Sequence, residues 1–300
     1  MRVIAPRGAV PSRARQGTGP GPVLPGATLG SVGIPAGFAL AGQPGALPSG
    51  WSGGNTASSY YITGNNVVVD GYDFTSPGEL TKNVLTVQGA NATIRRCRFT
   101  GPANRAIDTM AAGAVTIEDC EFVGNFDDAA ISGPDWTAER CDFHGMGNDA
   151  VKMGDDTVLR HCHIHDFVTV TGGHGDGIQG IDTPYGVTVY NCLIDLGTNP
   201  GGTLPNSAVI ITPWSDPKPG PYGISFDHCT FGGGNLTVHI DLGDTAGISV
   251  TNCKFLDNYG PDGAPIQNTD NGTPIPAPAV FTGNVKHDGV TPLAWTDTSA

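Results

Sequence analysis

Two aspartates occupy the same place in two copies of one short motif. Asp149 lies in NDAVK and Asp176 in GDGIQ, with Lys152 and Gln179 three residues further on in each copy. If the copies stack in register, Asp149 lies about 5 Å from Asp176, and Lys152 the same distance from Gln179. His174, in GGHGDGIQG, comes two residues before Asp176. Two chemistries use such a group. A polysaccharide lyase needs a base for the sugar C5 proton and a cation against the neighbouring carboxylate. Lys152 or His174 would be the base, and the paired aspartates would hold a divalent ion. A glycoside hydrolase needs two carboxyl groups at a defined separation, which Asp149 and Asp176 could supply. Asp149, Lys152, His174, Asp176 and Gln179 are thus the candidate catalytic residues. The plainer alternative is that the aspartates cap turns and the column only solvates a surface.

Two further residues are candidates for binding substrate. Trp214, in the long segment ITPWSDPKPGPYG, offers a ring to stack on a sugar, and His239 falls in the column of Lys152 and Gln179. A second polar group consists of His163 and His165, alternating on one strand face, with Asp142 and His144 beside them in the preceding copy. These are donors a transition metal takes. Imidazoles on a repeat surface are more often simply polar, so no metal ligand is assigned and no cofactor is expected beyond a divalent cation.

The elements that must position these residues come from a repeat. The seven cysteines, at 97, 120, 141, 162, 192, 229 and 253, sit in ATIRRCRF, VTIEDCEF, WTAERCDF, TVLRHCHI, VTVYNCLI, ISFDHCTF and ISVTNCKF. Each reads apolar or small, x, apolar, x, x, Cys, x, Phe or Ile. VVVDGYDF fits with Tyr72 in place of Cys, and AVFTGNV near 280 looks like a degraded closing copy. Alternation by two marks a strand with one buried face. The extra residue before Cys shifts that phase, so a bend must lie there. The cysteines are then a ladder of small buried hydrophobes, not a disulfide framework.

A second template follows each first one: NRAID, DDAAI, NDAVK, GDGIQ, NSAVI and NLTVH. Its outward column reads Asp108, Ile131, Lys152, Gln179, Ile210 and His239; three residues earlier stand Arg105, Asp128, Asp149, Asp176, Ser207 and Leu236. Asn104, Asp127, Asn148, Asn206 and Asn235 share a turn column that suits a left-handed backbone. Short strands recurring every 21–37 residues give an all-β fold, a single-stranded right-handed parallel β-helix of about eight coils. Trp136 holds a core position in this pattern.

From cysteine to the apolar residue of the second template takes ten residues in the first three coils, then 16 and 17, then nine. Extra loop length on a repeat scaffold usually builds a functional wall. The loops at 165–175, 195–206 and 211–223 are therefore expected to wall a cleft over the aspartates. An outward aspartate adds little to a core, so Asp176→Ala is expected to cost only about 0.5 kcal/mol.

The template resembles the pectin-lyase-like superfamily of right-handed β-helices over about residues 65–256. That family includes polysaccharide lyases, glycoside hydrolases, phage tailspikes and coils without activity. The GHG at 173–175 is similar to the GHG of polygalacturonases, and Asn148-Asp149 loosely resembles their paired aspartates. The chain has no Asn-Thr-Asp upstream and no Arg-Ile-Lys downstream, which speaks against that activity.

The segmentation is an extended Gly/Pro-rich arm over 1–60, the β-helix over 61–256, and a closing coil and tail over 257–300. The net charge is −13; residues 1–69 hold four arginines and no acid, leaving −17 on the rest. An acidic body repels phosphate backbones, so nucleic acid is not an expected partner. No apolar run approaches the length of a membrane span, and the N-terminus does not read as a secretion signal. Phage virion proteins need no such signal, because lysis releases them. The expected setting is therefore a phage particle, with the chain displayed on the tail or surface and contacting host surface polysaccharide, with or without cleaving it. The arm would join other virion proteins, and resemblance to tailspikes implies a homotrimer. A free bacterial polysaccharide lyase or hydrolase, and a purely structural virion protein, are the alternatives. The arm carries no repeat template, so it is expected to be dispensable for folding.

Overall fold

A computed structural model describes residues 25–296 except 45–47, 54–58, 76–77, 111–112, 170–173, 181–182, 198–203, 213–219, 221, 242–244, 261–263, 268 and 271–272. Each coil contributes one strand to each of three sheets, as in Val115–Glu118, Glu121–Val123 and Phe126–Gly133. The three sheets hold nine, eight and ten strands respectively. Among the described residues the coils stack in parallel, with Thr116↔Thr137, Phe122↔Phe143 and Ile131↔Val151 showing the register; Trp51–Gly53, at the edge of the ten-stranded sheet, runs antiparallel to Tyr60–Ile62. This is the right-handed parallel β-helix expected from the repeat. Among the described residues no helix is long and apolar enough to cross a membrane.

The phase shift before each cysteine has a concrete form. Arg96, Asp119, Arg140, His161, Asn191, His228 and Asn252, each one residue before a cysteine, all have left-handed backbone with φ between 50° and 56°. That single residue lets Ile117, Cys120 and Phe122 all point inward from two successive strands. The Asn104/Asn148/Asn206 column is a structural ladder, as expected, but without left-handed backbone: φ is positive at the cysteine corner and at none of those asparagines. The side chains of that column bond locally instead, Asn148 Nδ2 donating to Asp127 O at 2.5 Å and Asn104 Nδ2 to Asn83 Oδ1 at 3.0 Å.

Inside, the inward column of the second sheet is a pile of parallel rings. Phe74, Phe99, Phe122 and Phe143 stack at 4.9, 5.2 and 4.6 Å between centroids, a spacing set by the strand separation. All seven cysteines are free and buried. Burial pushes the Cys120, Cys141 and Cys162 thiols up, which keeps them protonated and unreactive. Trp136 is core, its Nε1 donating to Gly133 O at 2.9 Å.

The arm does not stand apart from the body. From Gly26 onward it runs along the cysteine corners, from the last coils back to the first. Gly26 N donates to Asn252 O (2.9 Å), and Thr28 exchanges two bonds with Asn191 (2.7 and 2.9 Å). Gly33 N donates to Arg140 O (2.7 Å), Phe38 lies under the Arg96 guanidinium at 4.6 Å, and Ala41 N donates to Gly71 O (2.8 Å). The expectation that the arm buries little fails for this stretch. A segment without a repeat still finds partners, because the corner column offers it an unbroken row of backbone carbonyls.

Two measurements check these features. Native protein should show almost no reactive thiol, and denatured protein without reductant should release all seven; three stable disulfides would contradict the ladder. Deleting residues 1–44 should lower the thermal midpoint by on the order of 5 °C, since it removes bonds to five or more coils.

Candidate functional site

The candidate residues lie on the third sheet, where strands Asp149–Met153 and Asp176–Gly180 are neighbours. Register places Lys152 opposite Gln179, as expected, and Gln179 opposite Ile210, which in turn faces His239. Two positions, both in the DDAAI copy, are corrected. Ser132, not Ile131, stands between Asp108 and Lys152, and Ala129, not Asp128, pairs with Arg105 and Asp149. A bulge between Phe126 and Ala129 inserts the extra residue and turns Ile131 into the core.

Polar side chains form a continuous ladder across these coils. Asn83 Nδ2 donates to Asp108 Oδ2 (2.9 Å), and Arg105 bridges Asp108 and Asp128. Lys152 Nζ bridges Asp128 and Asp149, the latter at 3.2 Å. Asp149 Oδ1 accepts the backbone N–H of Asp176 at 2.9 Å. Asp176 Oδ2 bonds His174 Nδ1 at 3.0 Å, and its Oδ1 accepts Asn206 Nδ2 at 2.9 Å. Asp149, Lys152, His174 and Asp176 are thus brought together. Gln179 stands beside Lys152, whereas His239 lies two strands beyond Gln179. Trp214 and half of the residues of the proposed cleft walls lie outside the described residues.

The aspartates are not on the surface. Asp149 is 2% exposed and Asp176 0%, whereas the His174 side chain is 56% exposed. Close backbone approach deepens the aspartate end: a Cβ on Gly177 would lie 2.6 Å from Ala208 O, so the chain beside Asp176 tolerates only glycine. The expected 0.5 kcal/mol for Asp176→Ala is therefore corrected upward. The loss would strand the half-buried Asn206 amide donor, at about 1–3 kcal/mol, while the exposed His174 ring could turn to water.

Burial and the Asp176 charge push the Asp149 carboxyl up to about 7, and burial raises Asp176 as well, outweighing its hydrogen bonds. Two buried carboxylates one strand apart do not both ionise readily. The Asp176 hydrogen bond raises the His174 imidazole. Burial opposes the Lys152 ammonium, but Asp149 and Asp128 together hold it above its usual range. The four oxygens of the two aspartates face Lys152, the Asp176 N–H, His174 and Asn206, so the pair is not arranged as a divalent-ion cradle.

Sequence reasoning left Arg105, Asp108, Asp128 and Asn206 out of the site. The signal was present as the alternation Asp108, Arg105, Asp128, Lys152, Asp149 from one coil to the next.

With this geometry in place, the comparisons with known proteins are brief. A family model for a right handed beta helix region matches residues 52–194. With the three parallel sheets, that match supports the resemblance to the pectin-lyase-like superfamily. No curated protein and no solved structure matches the chain.

Asp149 makes stability depend on pH with a definite sign. Its carboxyl holds a proton more tightly folded than unfolded, so stability is greatest below its ordinary value near 4 and falls as pH rises towards about 7. At about 1.4 kcal/mol per unit the loss is a few kcal/mol. Asp149→Asn should flatten that decline, as read from urea midpoints between pH 4 and 8. An equally steep decline in the variant would refute the assignment.

Proposed function

We propose that the chain handles host surface polysaccharide on its third sheet, with His174 as the proton-transferring group and Asp176 as the residue that orients it. The observation carrying this reading is the contrast in exposure: an open imidazole held at Nδ1 by a fully buried carboxylate. Such a pair leaves Nε2 as the nitrogen not engaged by Asp176 and fixes the ring orientation.

The reaction this arrangement suits best is β-elimination on a uronate sugar. His174 Nε2 takes the C5 proton. The electron pair left behind forms the C4–C5 double bond as the C4–O bond breaks, and the departing oxygen takes a proton from solvent. Hydrolysis suits it less well, since both carboxyls would have to reach the anomeric centre. Asp149 and Asp176 are buried and internally bonded.

The setting within this proposal is a phage particle, with the chain displayed on the tail or surface and freed by lysis. Four arginines in the first fifteen residues, against an acidic body, suit docking of the arm on an acidic virion neighbour. Resemblance to tailspikes adds a homotrimer. A free bacterial enzyme would use the same site. A purely structural virion protein is the second reading, favoured by the saturation of the aspartate oxygens with internal partners.

A panel of uronate-containing polysaccharides, followed by ultraviolet absorbance of the unsaturated product, tests this. His174→Ala should lower turnover at least about 100-fold while keeping the fold. A base must be unprotonated, so activity should rise with pH through the raised His174 value. Asp176→Asn removes the cause of that rise and should move the acid limb to lower pH. Full activity in His174→Ala would refute the role; no binding or turnover of any glycan would favour the structural reading.

A further inference from the structure

On the second sheet, a different face of the rod, strands Asp142–His144 and His163–His165 pair with Asp142 opposite His163 and His144 opposite His165. Phe143 and Ile164 are core, so the flanking residues face outward. His165 Nε2 lies 3.1 Å from Asp142 Oδ1, and His163 Nδ1 lies 3.7 Å from the same oxygen. The ligand atoms of Asp142, His163 and His165 all fall within 4.8 Å of one another. We propose that these three side chains form a binding site for a divalent transition-metal ion of the zinc class, its remaining coordination positions open to solvent.

Three features support this. The first is spacing. Two ligands about 2.1 Å from a tetrahedral ion stand about 3.4 Å apart, and the two nitrogen-to-oxygen distances bracket that value. The second is chemistry. Two imidazoles with one carboxylate suit zinc, cobalt, nickel or copper, and suit the hard calcium and magnesium ions poorly. The third is outer support. Asp166 Oδ2 bonds His165 Nδ1 at 2.8 Å, leaving Nε2 as the nitrogen directed at Asp142. A carboxylate behind a histidine in this way fixes the ring and raises its basicity as a ligand.

Asp166 is unusual in its place. It follows its strand directly, as Gly124 and Gly145 do in the two preceding coils, and like them it has positive φ, here 51°. Those coils meet the left-handed corner with glycine. This one accepts an L side chain, and its carboxylate meets His165. The His163 and His165 rings stack at 3.9 Å between centroids on a single strand, so the ligands are held before any ion arrives. His144 stacks on His165 at 5.4 Å but bonds Glu121, so it borders the site without joining it. The arm closes the other side: a Cβ on Gly33 would lie 3.1 Å from the Asp142 Cβ.

Calorimetric titration of zinc chloride into the full chain, in a non-coordinating buffer, tests the proposal. One equivalent should bind, and cobalt(II) in its place should give the visible absorption of a low-coordinate site. His163→Ala with His165→Ala should abolish binding, Asp166→Asn should weaken it about tenfold, and the distant His287→Ala should leave it unchanged. If the double variant fails to fold, His165→Gln and Asp142→Asn carry the test singly, with folding followed by circular dichroism in the presence of chelator. Absence of binding at millimolar zinc, or zinc affinity unchanged in these variants, would overturn the site.

Discussion

At each cysteine corner the left-handed residue turns its own N–H towards the coil above, and the residue after the cysteine turns its N–H towards the coil below. Asp119 N donates to Glu139 O while Glu121 N donates to Cys97 O; Arg140 N donates to Arg160 O while Asp142 N donates to Cys120 O. The corner thereby continues both ladders without a break, where an ordinary turn would leave buried polar groups unmet. An L residue in this conformation costs about 1–2 kcal/mol unless it is Gly, Asn or Asp. Arginine and histidine nevertheless occupy four of the seven corners. The interior restricts the next residue to something small and apolar, which cysteine satisfies. Inward alternation in two sheets, the phenylalanine pile and the groove that receives the arm all follow from this one dihedral.

The polar ladder on the third sheet shows how a repeat produces a site by departing from its own regularity. Between Asp108 and Lys152, acids and bases alternate from coil to coil, so each cation bridges two carboxylates. At Asp176 the alternation stops: a second carboxylate follows Asp149, met by a histidine and an amide in place of a lysine or arginine. Like charges one strand apart, away from water, keep one proton between them. The excess of acid and the depth of the coil together create the only stretch of this ladder where proton affinity shifts towards neutrality.

Much of this was legible in the sequence, for identifiable reasons. The cysteine template fixed the coil boundaries because each copy carries two phase markers, an apolar pair and a Cys-x-Phe. Lys152 and Gln179 pair as read because the large apolar residues Val151 and Ile178 align directly, with no bulge before them. DDAAI was misread by one residue because Ala130 and Ile131 are both apolar, so alternation alone could not choose between them. Alternation also tells which way Asp176 points relative to its neighbours but not how much chain covers it; Asn206 comes from the next coil. The arm was opaque because it has no second copy against which to align.

The arm's path couples the two ends of the chain in time. Gly26 and Ala27 rest on Asn252 and Thr230, the latter contact spanning 203 residues of sequence. A solenoid grows by adding each coil to the last, so contacts are otherwise mostly between neighbours. The arm leaves the ribosome before any of the coils it rests on, yet its seat is completed only when the coils of Thr230 and Asn252 are in place. Its Gly26 end must therefore wait, undocked, until those coils are made. Its closure is the slow, long-range event in an otherwise local assembly, and it reports that the whole rod has been built.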